Sequence, residues 1–210
     1  MNLEELTLHL NDFHKKVITT MSPVMDMGPL IPIELIVRPL AFGGCLCAPN
    51  SPDTYKFKIY ISQIGSIRED YQYSDREIVG REFTTAHETG YYFHFQNPRF
   101  KEESNELKIR PISDRRRNRI INYWELVAGF FACYYIDLTE GIENFFSGRG
   151  SEEYRELSAK EIHDAYMSIN QGNERKEIVK WLIAHSYDQA KRKLKGNSTL
   201  DAFRNIVVDV

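Results

Sequence analysis

The amino-acid sequence predicts an α+β fold, in which a small antiparallel sheet packs against helices. An apolar, β-leaning segment at 33–48 is followed by a strand with regular alternation at 54–62. Longer segments before and after these strands carry apolar residues at helical spacing. Because the strands are grouped together instead of alternating with helices, the expected order is helix, small sheet, then helices.

The first helix is predicted over residues 3–20. Apolar side chains recur there three or four positions apart, which places them on one helix face. They are Leu3, Leu6, Leu10, Phe13 and Val17. Helix-breaking residues then indicate a connector or covering loop. They are Pro23, Gly28, Pro29 and Pro32.

The strand at 54–62 alternates between an apolar face and a mostly polar one. The apolar face carries Tyr55, Phe57, Ile59 and Ile61. The mostly polar face carries Lys56, Lys58, Tyr60 and Ser62. This period of two predicts a strand with one face toward water. Turn-forming residues at 49–53 separate it from the apolar segment at 33–48, so we expect a hairpin or a small antiparallel sheet.

Several helices are predicted after the strands. Ser74 and Glu77 have the spacing of a capping box and begin a helix that Pro98 ends. The segment 122–138 is apolar nearly all round and is expected to be buried. Further helical patterns occupy 151–170 and 173–195, and a last short element follows at 198–210.

Composition limits the classes of function. The formal net charge of −3 gives no overall attraction to nucleic acid or to anionic membranes. No stretch of about 20 apolar residues is present, and the N-terminus lacks the apolar run of a signal peptide. An odd number of cysteines, Cys45, Cys47 and Cys133, suggests a reduced compartment. We therefore expect a soluble, cytoplasmic protein without a membrane partner.

A basic segment precedes the apolar helix. Within residues 108–119, four arginines are clustered at Arg115, Arg116, Arg117 and Arg119. Such a run occurs in nucleic-acid contacts, but it also occurs in solvated loops and at helix starts. No aromatic residue is interleaved with it, so a nucleic-acid partner is not expected.

The stretch 84–97, TTAHETGYYFHFQN, contains most of a metal-binding motif. In the pattern H-E-x-x-H, two histidines one helical turn apart hold one zinc ion, and the glutamate acts as general base. His87 and Glu88 occupy the first two positions, and Tyr91 stands where the second histidine is expected. Within the apolar helix, the carboxylate of Glu125 needs a cation, solvent or a nearby arginine as partner.

Two segments together carry a resemblance to a known family. FTTAHETGYYFH, at 83–94, resembles the active-site helix of gluzincin-type zinc metallopeptidases. ELVAGFFA, at 125–132, resembles the helix that supplies the third ligand in the small intracellular metallopeptidase-like family typified by the ImmA and IrrE regulators. The resemblance covers roughly residues 55–138.

The resemblance implies a fold and an activity. It implies a small antiparallel sheet packed on a zincin-like active-site helix and on a second buried helix. It also implies zinc held by His87 and Glu125, with Glu88 as the catalytic base for hydrolysis of a peptide or protein substrate. We expect one domain over 1–210, with the metallopeptidase-like core at about 33–138 and a C-terminal helical extension at about 151–210.

Because Tyr91 replaces the expected histidine, the identity of the third metal ligand is undecided. A nearby zinc ion lowers the pKa of a phenol, so Tyr91 can coordinate as tyrosinate. His94 is another candidate, although it lies about 10 Å along the helix axis from His87. The remaining histidines are expected to be structural or at the surface. They are His9, His14, His163 and His185.

Three functions follow from these alternatives. The first is a zinc-dependent metallopeptidase in which Glu88 is the base. The second is a catalytically degenerate relative that binds a protein or peptide partner with weak metal or none. The third is a nucleic-acid-associated regulator that uses residues 108–119. The sequence determines neither the substrate nor the oligomeric state.

Overall fold

The computed structural model describes residues 1–27, 33–38, 44–47, 57–62, 71–109, 113–148, 157–170 and 172–194. The helices are α1 Leu3–Val24, α2 Asp75–Phe95, α3 Pro98–Ile109, α4 Asp114–Thr139, α5 Ile142–Gly148, α6 Leu157–Met167, α7 Asn173–Ala184 and α8 Tyr187–Leu194. The strands are β1 Ile33–Arg38, β2 Gly44–Cys47 and β3 Phe57–Ser62. The short element expected at 198–210 lies outside the described residues.

The predicted α+β class with an antiparallel sheet is wrong. Most of the described residues are helical, and the strands are short. These strands lie in the order β1-β3-β2, with β1 parallel and β2 antiparallel to β3. The alternation at 54–62 indicates a strand, but a period of two carries no information about the direction of the neighbouring strand. The fold is therefore mainly helical, and β2 and β3 contact one of its central helices, α2.

Two capping boxes begin the helices that flank the strands. At α2, the Ser74 hydroxyl accepts a hydrogen bond from the Glu77 N–H, and the Glu77 carboxylate accepts one from the Ser74 N–H. This confirms the predicted start of the helix. Asn2 and Glu5 make the equivalent pair of bonds at α1. The helix continues to Val24, beyond the predicted end, because Pro23 lies in its last turn, where the missing N–H removes only one helical bond.

The segment after α2 differs from the prediction. Pro98 does not simply end a helix; it begins the new helix α3. Proline suits the first position of a helix, because its N–H has no helical partner there. The C-terminal pattern at 173–195 is likewise divided between α7 and α8. Ser186 and Gln189 form the reciprocal bonds that start α8.

Helices α2 and α4 pack against each other at the centre of the core. A Cβ atom at Gly90 would lie only 3.0 Å from the Cα of Ala128 and 3.0 Å from the Cβ of Phe131. The absence of a side chain at Gly90 therefore lets the two backbones approach closely. Helix α4 also contacts α1, α5, α6, α7 and α8, so this central helix is buried along most of its length, as the sequence predicts.

A polar network ties α4 to the C-terminal helices. The Asp137 carboxylate accepts hydrogen bonds from Arg175, at 2.6 Å, and from Tyr166, at 2.8 Å. The Arg175 guanidinium also lies 4.7 Å from the centre of the Tyr166 ring. Because Arg175 is buried, these contacts compensate its charge. Among the described helices, none is long and apolar enough to cross a membrane.

Candidate functional site

The structure brings three of the predicted site residues together. The Nε2 atom of His87 lies 3.2 Å from Oε2 of Glu125. The phenol of Tyr91 donates a hydrogen bond of 2.5 Å to the other carboxylate oxygen, Oε1. The rings of His87 and Tyr91 meet edge to face, with centroids 5.3 Å apart. We call this group the His87–Tyr91–Glu125 cluster.

The packing of α2 against α4 creates the cluster. His87 and Tyr91 are four residues apart, so they lie one turn apart on the same face of α2. Glu125 lies one turn before Ala128 on α4, and Ala128 is the residue whose backbone contacts Gly90. The close approach at Gly90 therefore fixes the distance between the helices beside the cluster. The same Gly and Ala belong to the two segments that carry the family resemblance.

The cluster is open to solvent on the side of Glu125. The side chain of Glu125 is 49% exposed, whereas that of His87 is 17% exposed. The neighbouring Glu88 is buried, with 6% of its surface accessible. Glu125 is therefore the outer member of the cluster, and an added ion or substrate can approach from its side.

Opposing effects act on the charge of His87. Burial disfavours the charged imidazolium. The hydrogen bond to Glu125 and the negative charges of Glu88 and Glu125 outweigh burial, and together they raise the pKa of His87 above its ordinary value. The contact with Glu125 therefore favours the protonated form of His87.

Tyr91 is a hydrogen-bond donor in this arrangement. Burial is the main cause that raises the pKa of Tyr91 far above that of a free phenol, and the negative charges of Glu125 and Glu88 add to it. For Glu125, burial favours the neutral carboxyl group. The bonds from His87 and Tyr91 outweigh that effect and lower the pKa of Glu125. The hydrogen bond therefore joins a neutral phenol to an ionised carboxylate.

His94, the other ligand candidate, lies in a different environment. It is fully buried, and its ring packs against Phe100 and Tyr123, with centroids 4.8 and 5.9 Å away. Burial lowers the pKa of His94 to about 3, against a smaller opposing effect of the His185 backbone. Among the described residues, neither ring nitrogen of His94 has a hydrogen-bond partner at normal distance and angle, so the contribution of the His185 backbone is weak. These contacts place His94 in an aromatic part of the core, as a neutral side chain.

The donor atoms of the cluster can be compared with those of a metal site. Two atoms that each lie about 2.0–2.1 Å from a tetrahedral zinc ion are roughly 3.3 Å apart. His87 Nε2 and Glu125 Oε2 are separated by 3.2 Å, so this pair fits. The Tyr91 oxygen lies 2.5 Å from Glu125 Oε1, closer than two ligands of one zinc ion would be, and it coordinates only after losing its proton. No set of three or more His, Cys, Asp and Glu side chains suited to a metal occurs among the described residues.

The arginine run at the start of α4 is partly occupied by ion pairs. Arg116 donates to both carboxylate oxygens of Glu106, at 2.9 and 3.1 Å. It also donates to both oxygens of Asp188, at 3.1 and 2.9 Å. Arg116 therefore joins α3, α4 and α8. The sequence shows only a cluster of positive charge. The contact between Arg116 and Asp188 could not be predicted from it, because the two residues are 72 positions apart.

Comparisons of this chain with protein-family models, with curated proteins and with solved structures give no match. The functional assignment therefore rests on the geometry of the site and on the motif resemblance.

Proposed function

We propose that this chain is a metallopeptidase-like hydrolase, with a metal ion held by His87, Glu125 and Tyr91 and with Glu88 as general base. The observation that carries the proposal is the 3.2 Å approach of His87 Nε2 to Glu125 Oε2 across two helices. The sequence resemblance assigns ligand roles to the same two residues. We place this activity in the cytoplasm because the cysteine content suggests a reduced compartment.

The metal supplies the electrophilic part of the chemistry. A Lewis-acidic cation polarises the scissile carbonyl group and makes water a stronger acid near neutral pH. Zinc is the ion that the family resemblance implies. His87 provides a neutral nitrogen once its proton has left, and Glu125 provides a carboxylate that is already ionised. Their 3.2 Å contact would place the two donors at the separation that a shared ion requires.

Glu88 is the candidate proton carrier. It follows His87 directly on α2, and its charge acts on both His87 and Tyr91. In the proposed reaction its carboxylate accepts a proton from the attacking water and delivers that proton to the leaving amine. The side chain of Glu125 is 49% exposed, so a substrate would reach the cluster from this side.

The test separates metal binding from catalysis. Glu88→Gln keeps the size of the side chain but removes its basicity. Purified wild-type protein should contain about one metal ion per chain and should cleave a fluorogenic peptide library. Glu88→Gln should retain the metal and lose at least a hundredfold in cleavage rate. Equal cleavage by both proteins would exclude Glu88 as the base.

A second function is favoured by the hydrogen bond from Tyr91 to Glu125. This 2.5 Å bond engages one carboxylate oxygen of Glu125. His87 contacts the other oxygen, so the three side chains partner one another, which suits a relative that binds a peptide without cutting it. Under this alternative, wild-type protein binds library peptides without cleaving them, and Tyr91→His increases its affinity for zinc.

A further inference from the structure

Glu125 lies between two close helix contacts on α4. Gly90 of α2 approaches the backbone at Ala128, three residues after Glu125. At the next position, a Cβ atom on Gly129 would lie 2.8 Å from Cγ2 and 3.0 Å from Cδ1 of Ile162 on α6. Adjacent positions of a helix point about 100° apart, and both of these are one turn from Glu125. Helices α2 and α6 therefore lie on either side of the Glu125 carboxylate.

The direction of α2 brings His87 to the turn of α4 that α6 covers. Along α2, Gly90 meets Ala128 of α4. Farther toward the end of α2, the ring of His94 lies 5.9 Å from that of Tyr123, which is earlier in α4. The two helices are therefore antiparallel. Because His87 precedes Gly90 by about one turn, it lies near the turn that follows Ala128.

Ile162 gives the α6 side of this region an apolar wall. We call the space between His87, Glu125 and Ile162 the α2–α6 cleft. The side chain of Ile162 is partly buried and packs against the main hydrophobic cluster. Its contact with Gly129 leaves little room for it to move toward α4. Because β-branching restricts χ1 in a helix, this wall is also stiff, and it limits the size of a group that enters the cleft.

We propose that Ile162 is a specificity-determining residue, which selects peptides with an aliphatic side chain, such as that of leucine, over peptides with an aromatic one. The inference rests on the proposed function, which places the peptide against His87 and Glu125. Glu125 is exposed between α2 and α6, so a peptide that reaches it passes Ile162. An aliphatic side chain buries apolar surface against this wall. An aromatic ring is larger, and it would have to displace a side chain that already packs against α4.

The experiment measures binding and cleavage separately, on the full chain. The probes are fluorescein-labelled pentapeptides of glycine in which the central residue is alanine, leucine or phenylalanine. Fluorescence anisotropy gives the dissociation constant of each peptide, and mass spectrometry of the products gives the cleavage rate. Wild-type protein should bind the leucine peptide roughly tenfold more tightly than the phenylalanine peptide, and cleavage should follow the same order.

The variants change the size of the wall. Ile162→Ala should bind the phenylalanine peptide roughly tenfold more tightly than wild type does, which removes the preference for leucine. Ile162→Val deletes one methyl group and should shift the preference in the same direction by a smaller factor. It provides the test if the larger truncation prevents folding. Ile178→Ala is the matched control, because it truncates a buried isoleucine of the same core on α7, and it should keep the wild-type preference.

The possible failures are distinguishable. Cleavage with a preference for leucine that both Ile162 variants leave unchanged would overturn the inference while leaving the proposed hydrolysis intact. Equal binding of the leucine and phenylalanine peptides by wild-type protein would also overturn it. A binding preference that depends on Ile162, in a protein that cleaves no peptide, would support the inference and contradict the hydrolysis. Wild-type protein that binds none of the peptides contradicts both.

Discussion

Gly90 of α2 lies so close to Ala128 of α4 that a Cβ atom at position 90 would approach the Ala128 Cα to 3.0 Å. A second contact, to Phe131 Cβ, would be equally short. Both obstacles are close to the backbone, so a rotamer change cannot relieve them. This contact sets the helix separation beside His87, Tyr91 and Glu125, and therefore determines whether their donor atoms can meet.

We expect Gly90→Ala to destabilise the protein by about 1–3 kcal/mol, because overpacking forces the helices apart. It should also weaken metal binding at least tenfold, since the separation of His87 from Glu125 increases. Gly129→Ala is the matched control on α4, because its new Cβ would meet the side chain of Ile162 instead. Denaturant unfolding and calorimetric metal titration measure both effects. Equal loss of metal affinity in the two variants would contradict this role of Gly90.

The pKa of His87 should fall when Glu125 is neutralised. Burial alone lowers the pKa of this imidazole, and Glu125 contributes both a hydrogen bond and a charge that raise it. Glu125→Gln removes the charge, so the titration of His87 in metal-free protein should move to lower pH. NMR titration of the histidine ring protons measures the shift. An unchanged pKa would show that the 3.2 Å contact does not persist in solution.

Acid should destabilise the fold through buried His14. Burial lowers the pKa of this imidazole from 6.5 to about 4. Between these values the unfolded chain binds a proton that the folded chain does not, so stability is fully present above pH 6.5 and is lost as the pH falls toward 4. The shift corresponds to roughly 3 kcal/mol.

Replacement of His14 by an apolar residue tests this linkage. Free energies of unfolding between pH 4 and 7 are measured for wild type and for His14→Leu, and the variant should show a shallower loss of stability toward acid. His163→Leu is the control, since the partly buried imidazole of His163 on α6 has the exposed carboxylate of Asp164 beside it. If wild type and His14→Leu show the same pH dependence, His14 is not neutral in the folded protein.

Arg116 should stabilise the fold more than its neighbours do. It bridges Glu106 and Asp188 with four hydrogen bonds, and its side chain is partly shielded from solvent. We expect Arg116→Ala to cost about 1–2 kcal/mol, because two carboxylates lose their common partner. Arg117→Ala, at an exposed position, should change stability by less than about 0.5 kcal/mol. Thermal unfolding of both variants makes the comparison.

The local signals in the sequence are sufficient for part of this structure. Ser74 and Glu77 predict the start of α2 because a capping box is read from four consecutive residues. Each of the two segments with family resemblance marks one face of a helix, and the structure places His87 of the first 3.2 Å from Glu125 of the second. The burial of α4 is predicted because its apolar segment, 122–138, has hydrophobic residues on nearly every face of the helix.

Other features depend on contacts that are remote in the sequence. The parallel pairing of β1 with β3 is set by tertiary packing, and alternation in a single strand does not encode it. The bond from Tyr91 to Glu125 spans 34 residues and needs the helix separation that Gly90 permits. His94 has the spacing of a ligand candidate, but Phe100 on the following helix covers it.

The metal content of the purified protein tests the central claim most directly. Protein produced in metal-replete medium is desalted and analysed by mass spectrometry for all transition metals, beside Glu125→Gln. We expect about one ion per wild-type chain and at least a tenfold lower content in the variant. A wild-type protein that emerges without metal, or a variant that retains a full equivalent, would contradict the assignment of His87, Tyr91 and Glu125 as a metal site.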